Sequence, residues 1–268
     1  MLRNSRMSGY CDLRRPIEVR YAELMLKRIG FFHFVKDHCD PFGSLRRALN
    51  EESAKYEERD ISGSLIVLPE AFNLGRRYYP LGFPKITGKL GDATIPLEGA
   101  LEELHHTAAS RHTVFVAGLI GEQFSSAYWI DYSGPPQLMC HKMGDDKTGQ
   151  YRPWTGCDNN NPVECDDACV GALICLDALE RSDETLEARK RREKLIDKLK
   201  KCNQRYRILC IPGHMDSNSI PEKDGVYCIL ANSGSLKSFV KNDRKTDVLE
   251  PVDPLRNEIC LAPLPLPS

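Results

Sequence analysis

Three segments of this chain each set a reactive side chain at the end of an apolar run. LIVLPEAFN carries Glu70, LMCHKMG carries Lys142 and VGALICLDAL carries Cys175. A thiolate is the strongest nucleophile among ordinary side chains, so Cys175 is the candidate that attacks an electrophilic carbon. Glu70 is suited to take the thiol proton and later to activate water. Lys142 is suited to steady the thiolate and the oxyanion of a tetrahedral intermediate. Each residue type also has an ordinary structural role. A cysteine in an apolar strand commonly packs as a small hydrophobe, a glutamate at a strand end caps or is solvated, and a lysine lies on the surface. The order of the three and the wording around them raise the chemical reading above those roles.

Other groupings are less specific. Cys157, Cys165 and Cys169 with Asp158, Asp166 and Asp167 offer metal-ligand types, but they lack a C-x-x-C knuckle and read as structural or incidental. His105 and His106 are adjacent on an expected helix, cannot share one face, and read as a solvated or core-edge pair. Asp177 either orients the turn after Cys175 or caps backbone. Tyr151 and Trp154 follow the lysine segment and either line a substrate pocket or pack the loop.

The elements that must position these residues follow from patterning. IGFFHFV, from Ile29 to Val35, reads as a buried strand. DPFGSLRRALNEESAKYEERD reads as an amphipathic helix with Leu45, Ala48, Leu49 and Ala54 on its stripe and Asp40 or Ser44 as its cap. SLIVLPE is the next strand, so strand, helix and strand suggest a βαβ-type unit. Residues 98–111 read as a helix, TVFVAGLIGE as a strand, and SSAYWIDYS with PPQLMCHKM as a hairpin about Ser133-Gly134. ACVGALICLDAL is strand-like and stops at Cys175. DETLEARKRREKLIDKLKK reads as an exposed helix laced with i,i+4 charge pairs, not a nucleic-acid surface. RYRILCIPG and GVYCILANS are further strands, and EICLAPLPLPS an extended tail or edge strand.

The chain has 268 residues, 37 basic and 38 acidic side chains and a net charge of -1, which gives no overall attraction to a polyanion. No internal repeat or linker is visible. The expected division is a basic N-terminal extension, residues 1–28, followed by one domain, residues 29–268. Eleven cysteines, an odd number and several in apolar runs, are expected to be free thiols in a reducing, cytoplasmic setting. No apolar leader precedes them. No apolar run approaches the roughly 20 residues of a membrane helix.

The segments around the three reactive residues resemble those of the nitrilase superfamily of carbon–nitrogen hydrolases. LIVLPEAFN looks like that family's strand ending in Pro-Glu, MCHKMG like its lysine segment, and GALICLD like its Gly-x-x-Ile-Cys-x-Asp nucleophile turn. Gly156 in WTGCD, the ILCIPGHM strand and the YCILANSG strand also match, in the family's order, across roughly residues 29–235. The resemblance implies an α/β fold, a four-layer α-β-β-α sandwich. It implies a Glu70–Lys142–Cys175 triad working through a covalent thioester or thioimidate, with the Leu176 N–H as a second oxyanion donor. It implies no metal, no organic cofactor, no nucleic-acid or membrane partner, a small amide-type substrate, and assembly into a homodimer or larger homo-oligomer. The chain departs from the family in four places. Leu176 replaces an aromatic residue after the nucleophile, and ALERSDE replaces a Phe-Pro-Glu segment. Asp145, Asp146 and Glu164 stand where a second glutamate would be sought. A polar stretch and Pro-rich tail follow ANSG, which allows for a sandwich shortened at the C-terminus.

The function expected is hydrolysis of a non-peptide carbon–nitrogen bond, amide or ureido, through a cysteine acyl-enzyme. An acyltransferase with the same triad differs only in its acceptor. A nitrilase-fold scaffold without turnover is the alternative from another class. A redox protein is favoured only by the cysteine count, since no C-x-x-C occurs.

Overall fold

The computed structural model describes residues 24–35, 40–57, 60–74, 95–121, 124–143, 154, 160–179, 186–213, 225–233, 237–241, 247–253 and 255–265. Tyr151, Gly156, Cys157, Asp158, Asp145 and Asp146 lie outside these residues, as does most of the N-terminal basic segment.

Leu24 and Leu26 are both buried and lead into β1 (Arg28–His33). Next come α1 (Pro41–Ser53), β2 (Ser64–Leu68), α2 (Leu97–Arg111), β3 (Val114–Ile120), and the hairpin β4 (Ser125–Ile130) with β5 (Gln137–His141). The second half holds β6 (Val163–Glu164), β7 (Ala168–Ala172), α3 (Leu186–Lys201), β8 (Tyr206–Gly213), β9 (Tyr227–Asn232), β10 (Phe239–Lys241), β11 (Asp247–Leu249) and β12 (Glu258–Pro263). Two six-stranded sheets result, in the orders β12-β1-β2-β3-β4-β5 and β11-β10-β9-β8-β7-β6. The first half of each sheet's core is parallel: β1, β2 and β3 in one, and β7, β8 and β9 in the other.

The continuous apolar strands of the sequence have a simple cause, which is burial on both faces. Phe31, Leu65, Val67, Val114 and Val116 belong to the core that the two sheets share. Their neighbours Phe32, Ile66, Leu68, Phe115 and Ala117 belong to a separate core under α1 and α2, with Leu45, Leu49, Leu104 and Ala108. On the far side, α3 packs on β7 and β8. Helix, sheet, sheet and helix therefore form four layers. The α1 helix starts where the sequence signals it: the Asp40 side chain accepts from the Gly43 N–H at 2.8 Å, and Pro41 occupies the first turn.

The C-terminal residues complete both sheets. β10 and β11 extend the second sheet by antiparallel pairing. β12 crosses to the first sheet and pairs antiparallel with β1 from Arg28↔Pro263 to His33↔Glu258, as an edge strand. Gly30 is required for that approach, because a Cβ there would lie 1.9 Å from the Cys260 carbonyl oxygen.

Two expectations need correction. The charged helix is not simply exposed: Ala188, Arg192, Leu195, Ile196 and Leu199 form a buried stripe at helical spacing. The stripe escapes a hydropathy reading because it is short of apolar residues and includes an arginine. The cysteines are also not all thiols, since Cys169 and Cys202 form a disulfide. The α3 crossover returns the chain over the start of β7, which brings together two residues 33 apart in sequence. Glu164, paired with Cys169 across β6 and β7, lies beside them. This is the one metal-ligand-type group among the described residues; the two sulfurs are joined and the Glu164 carboxylate accepts from Gln204. His105 meets the Asp131 carbonyl at 3.0 Å and His106 is exposed, so the pair sits at the core's edge. No described helix is long and apolar enough to cross a membrane.

Asp40→Ala removes the α1 cap and is expected to lower stability by about 1 kcal/mol. Urea unfolding followed by far-UV circular dichroism reads this as a lower midpoint with an unchanged slope.

Candidate active site

Glu70 follows β2 directly. Pro69 cannot donate to the sheet, so the ladder stops there, and Ala71 turns the chain at φ 58°. Asn73 then anchors the turn to the end of β3: its amide donates to the Ile120 carbonyl at 2.9 Å and its carbonyl accepts from the Ile120 N–H at 2.9 Å. The carboxylate is thereby held at the strand end, facing the start of β4.

Lys142 follows β5 directly and is 2% exposed. Its Nζ donates to Glu70 Oε1 at 2.9 Å. Ser125, at the start of β4, serves both partners. Its hydroxyl donates to the same Glu70 oxygen at 2.9 Å, and its carbonyl accepts the Lys142 N–H at 2.8 Å. A charge pair this deep is tolerated only when each charge is well matched, because removing either from water costs several kcal/mol.

Cys175 ends the β7 segment and begins a short 3-10 turn, Cys175–Ala178. Its backbone is left-handed, φ 46°, a conformation disfavoured for any residue with a Cβ. The strain is held from both sides. Leu173 N–H donates to the Cys210 carbonyl at 3.1 Å, and Asp177 N–H donates back to the Ile174 carbonyl at 3.0 Å. A sharp turn of this kind throws the side chain out of the strand line and leaves the next amide, that of Leu176, beside it. Leu176 itself is half-buried against the inter-sheet core.

Asp177 joins the two halves. Its Oδ2 accepts the Met143 N–H at 2.8 Å, so the residue after Lys142 is tied to the turn after Cys175. The side chain therefore caps backbone, but on the segment that follows β5 of the other sheet. Farther up the same strands, Cys140 donates to the Ala172 carbonyl at 3.4 Å. Of the sequence-predicted residues, Glu70 and Lys142 are in direct contact, and Cys175 and Leu176 lie on the turn fastened to the lysine segment. Trp154 N–H donates to the Lys142 carbonyl at 3.0 Å, and its ring stacks among His141 and Phe124 at 4.4 and 5.0 Å. Trp154 itself thus packs against the lysine strand.

Sequence reasoning missed Ser125, Asn73 and Gly118. Ser125 opens an ordinary-looking strand, and only three-dimensional placement reveals its double role. Asn73 closes the LIVLPEAFN segment, where nothing local marks its bonds to Ile120. Gly118 leaves no room for a side chain at the sheet interface: a Cβ would lie 2.7 Å from Pro212 Cβ on the facing sheet and 2.8 Å from Glu70 Cα. Chemically, the site combines a cysteine on a strained turn, a buried carboxylate and a buried ammonium. That set suits proton removal from a thiol and stabilisation of negative charge on a substrate oxygen.

Comparison with solved structures places this architecture. The chain has the fold of the nitrilase-superfamily amidases. A variant of the Nesterenkonia sp. AN1 amidase, from the nitrilase superfamily, matches at a TM-score of 0.61 and 15% identity, covering 90% of this chain and 92% of that one. Saccharomyces cerevisiae Nit3, of branch 10 of the superfamily, matches at 0.57 and 17% identity, covering 91% and 92%. A second form of the Nesterenkonia amidase, with acrylamide added at the active-site cysteine, matches at 0.57 and 16% identity, covering 89% and 93%. No family model matches the chain, and no curated protein matches it in sequence.

Gly118→Ala is expected to push Glu70 out of line with Lys142 and to overpack the sheet interface, costing about 1–3 kcal/mol of stability. Thermal melts read the stability loss. A crystal structure of the variant with Glu70 and Lys142 still 2.9 Å apart would refute the close-approach argument.

Proposed function

We propose that this chain is a cysteine-dependent hydrolase of a non-peptide carbon–nitrogen bond, of amide or ureido type. The observation that carries the proposal is the buried Lys142–Glu70 pair, 2.9 Å apart, at strand ends fastened through Asp177 to the turn that bears Cys175. Glu70 takes the Cys175 thiol proton as Sγ attacks the carbonyl carbon. The resulting oxyanion is met by Lys142 and the Leu176 N–H. The carbon–nitrogen bond then breaks as the leaving nitrogen takes the proton from Glu70, which leaves a thioester on Cys175. Water, deprotonated by Glu70, attacks that thioester and releases the acid, and the proton returns to the thiolate. This cycle uses no metal and no organic cofactor. A transferase variant would differ in one respect, an amine replacing water at the thioester. Assembly into a homodimer or larger homo-oligomer is part of the same proposal, drawn from the family resemblance, and a cytoplasmic location is proposed alongside it.

Selective thiol chemistry provides the first test. Burial pushes the thiols of Cys165 and Cys210 well above their ordinary range, and nearby aspartates add to the effect at Cys165. Burial, then the Glu258 carboxylate, pushes Cys260 up to about 12. These thiols stay protonated and unreactive at neutral pH. Brief exposure to iodoacetamide at pH 7, with peptide mapping, is therefore expected to label Cys175 ahead of them. Labelling that spares Cys175 would end the proposal.

Cys175→Ser is expected to abolish turnover in a screen of small amides and ureido acids with the fold intact. Glu70→Gln and Lys142→Met are each expected to cost roughly 10²–10⁴-fold in kcat/KM, since a cooperative unit fails when any member is lost. Near-wild-type activity in any of the three would remove that residue from the triad.

A further inference from the structure

The charged helix α3 reaches into the candidate site from the outer layer. Arg191, with a side chain only 9% exposed, donates from Nη1 to the His141 carbonyl at 2.6 Å. The same Nη1 lies 4.0 Å from Asp177 Oδ2, the oxygen that accepts the Met143 N–H. His141 and Met143 flank Lys142, and Asp177 is two residues past Cys175. One guanidinium therefore touches the residue before the lysine and the carboxylate that holds the residue after it. Arg192, the next residue and 3% exposed, donates to the Leu179 carbonyl at the end of the cysteine turn.

We propose that Arg191 is a positioning residue that sets Lys142 against Cys175, with Arg192 bracing the turn from the same helix. The inference rests on the proposed function and assigns part of that site to α3. Arginine is the side chain suited to the task. Its planar fork presents donors in fixed, divergent directions, so it can hold a carbonyl and face a carboxylate at once. A lysine ammonium is a point donor on a flexible stem and cannot fix both. The helix comes close enough because Gly171 has no side chain: a Cβ there would lie 2.9 Å from Leu195 Cδ1. Two opposite-charge pairs meet at the site: Lys142 with Glu70, and Arg191 facing Asp177. The departure after Cys175 opens with Ala178 and Leu179, and the Leu179 carbonyl is the one that Arg192 takes.

The test is the rate and pH dependence of Cys175 alkylation by iodoacetamide, read by peptide mapping, together with hydrogen exchange at the Met143 amide. Arg191→Met is expected to slow alkylation at pH 7 by about tenfold, to raise the pH midpoint by about one unit, and to speed Met143 exchange. Arg191→Lys keeps the charge and is expected to restore only part of the rate. Arg189→Met, at an exposed position of the same helix, is the control and is expected to match wild type. If Arg191→Met does not accumulate as folded protein, Arg191→Lys decides: wild-type rate and exchange in that variant overturn the proposal. So does wild-type behaviour in folded Arg191→Met. A wild-type Cys175 that reacts no faster than Cys228 would instead strike at the proposed function, and this inference would fall with it.

Discussion

The structure is organised around one buried ion pair. Lys142 and Glu70 are 2% and 7% exposed at the side chain, in the seam between two sheets. Moving both charges out of water is costly, and the attraction between them offsets the cost only when their remaining donors and acceptors are met. Ser125 is the device that meets them, a hydroxyl for Glu70 and a carbonyl for the Lys142 backbone. Its place is fixed by the β3–β4 register, where Ile120 opposes Ser125. The carboxylate is fixed from the same edge, because Asn73 clasps Ile120 on both sides of its peptide. A shift of one residue in that hairpin would turn every side chain to the opposite face and leave both charges unmatched.

The second sheet is joined to this pair through the cysteine turn. β7, β8 and β9 are parallel and buried, so they offer a rigid end on which a strained residue can persist. The left-handed φ at Cys175 is held by bonds from Leu173 and Asp177, not by a permissive glycine. The contact to Met143 then sets how the two sheets face one another at their site ends. Gly118 sets their distance, with Pro212 and Glu70 on either side. Packing and site geometry are thus one constraint here: the same residues that let the sheets approach also bring the reactive groups to one end.

The elements were legible in the sequence where one physical cause dominated. Strands buried on both faces read as continuous apolar runs, and β1, β2, β3, β8 and β9 fall where IGFFHFV, SLIVL, TVFVAGLI, RYRILCIPG and GVYCILAN place them. Asp40 as a cap and the Ser133-Gly134 hairpin were local signals with local outcomes. The reactive trio was legible only as strand endings in a familiar order. What could not be read was cooperative. The Cys169–Cys202 disulfide depends on the path of a crossover helix. The buried face of α3 is hidden because Arg191 and Arg192 look like surface charges until their acceptors, His141 and Leu179, are known. Ser125 and Gly118 have ordinary neighbours in sequence and special ones only in space.

A scaffold with this fold but no chemistry has to account for where the structure is least economical. Replacing a buried ion pair with apolar residues of similar volume is often neutral or stabilising, so Lys142 and Glu70 are not what a fold needs for its own sake. Among the described residues three non-glycine positions have positive φ: Ala71, His112 and Cys175. His112 caps the end of α2, where a left-handed residue is ordinary. The other two are Ala71, beside Glu70, and Cys175 itself. Two arginines of the charged helix α3 are sunk toward the same turn. Departures from local preference that gather at one place mark a site whose geometry matters more than its stability. That clustering, more than any one of the three residues, supports the proposed catalysis over the scaffold reading.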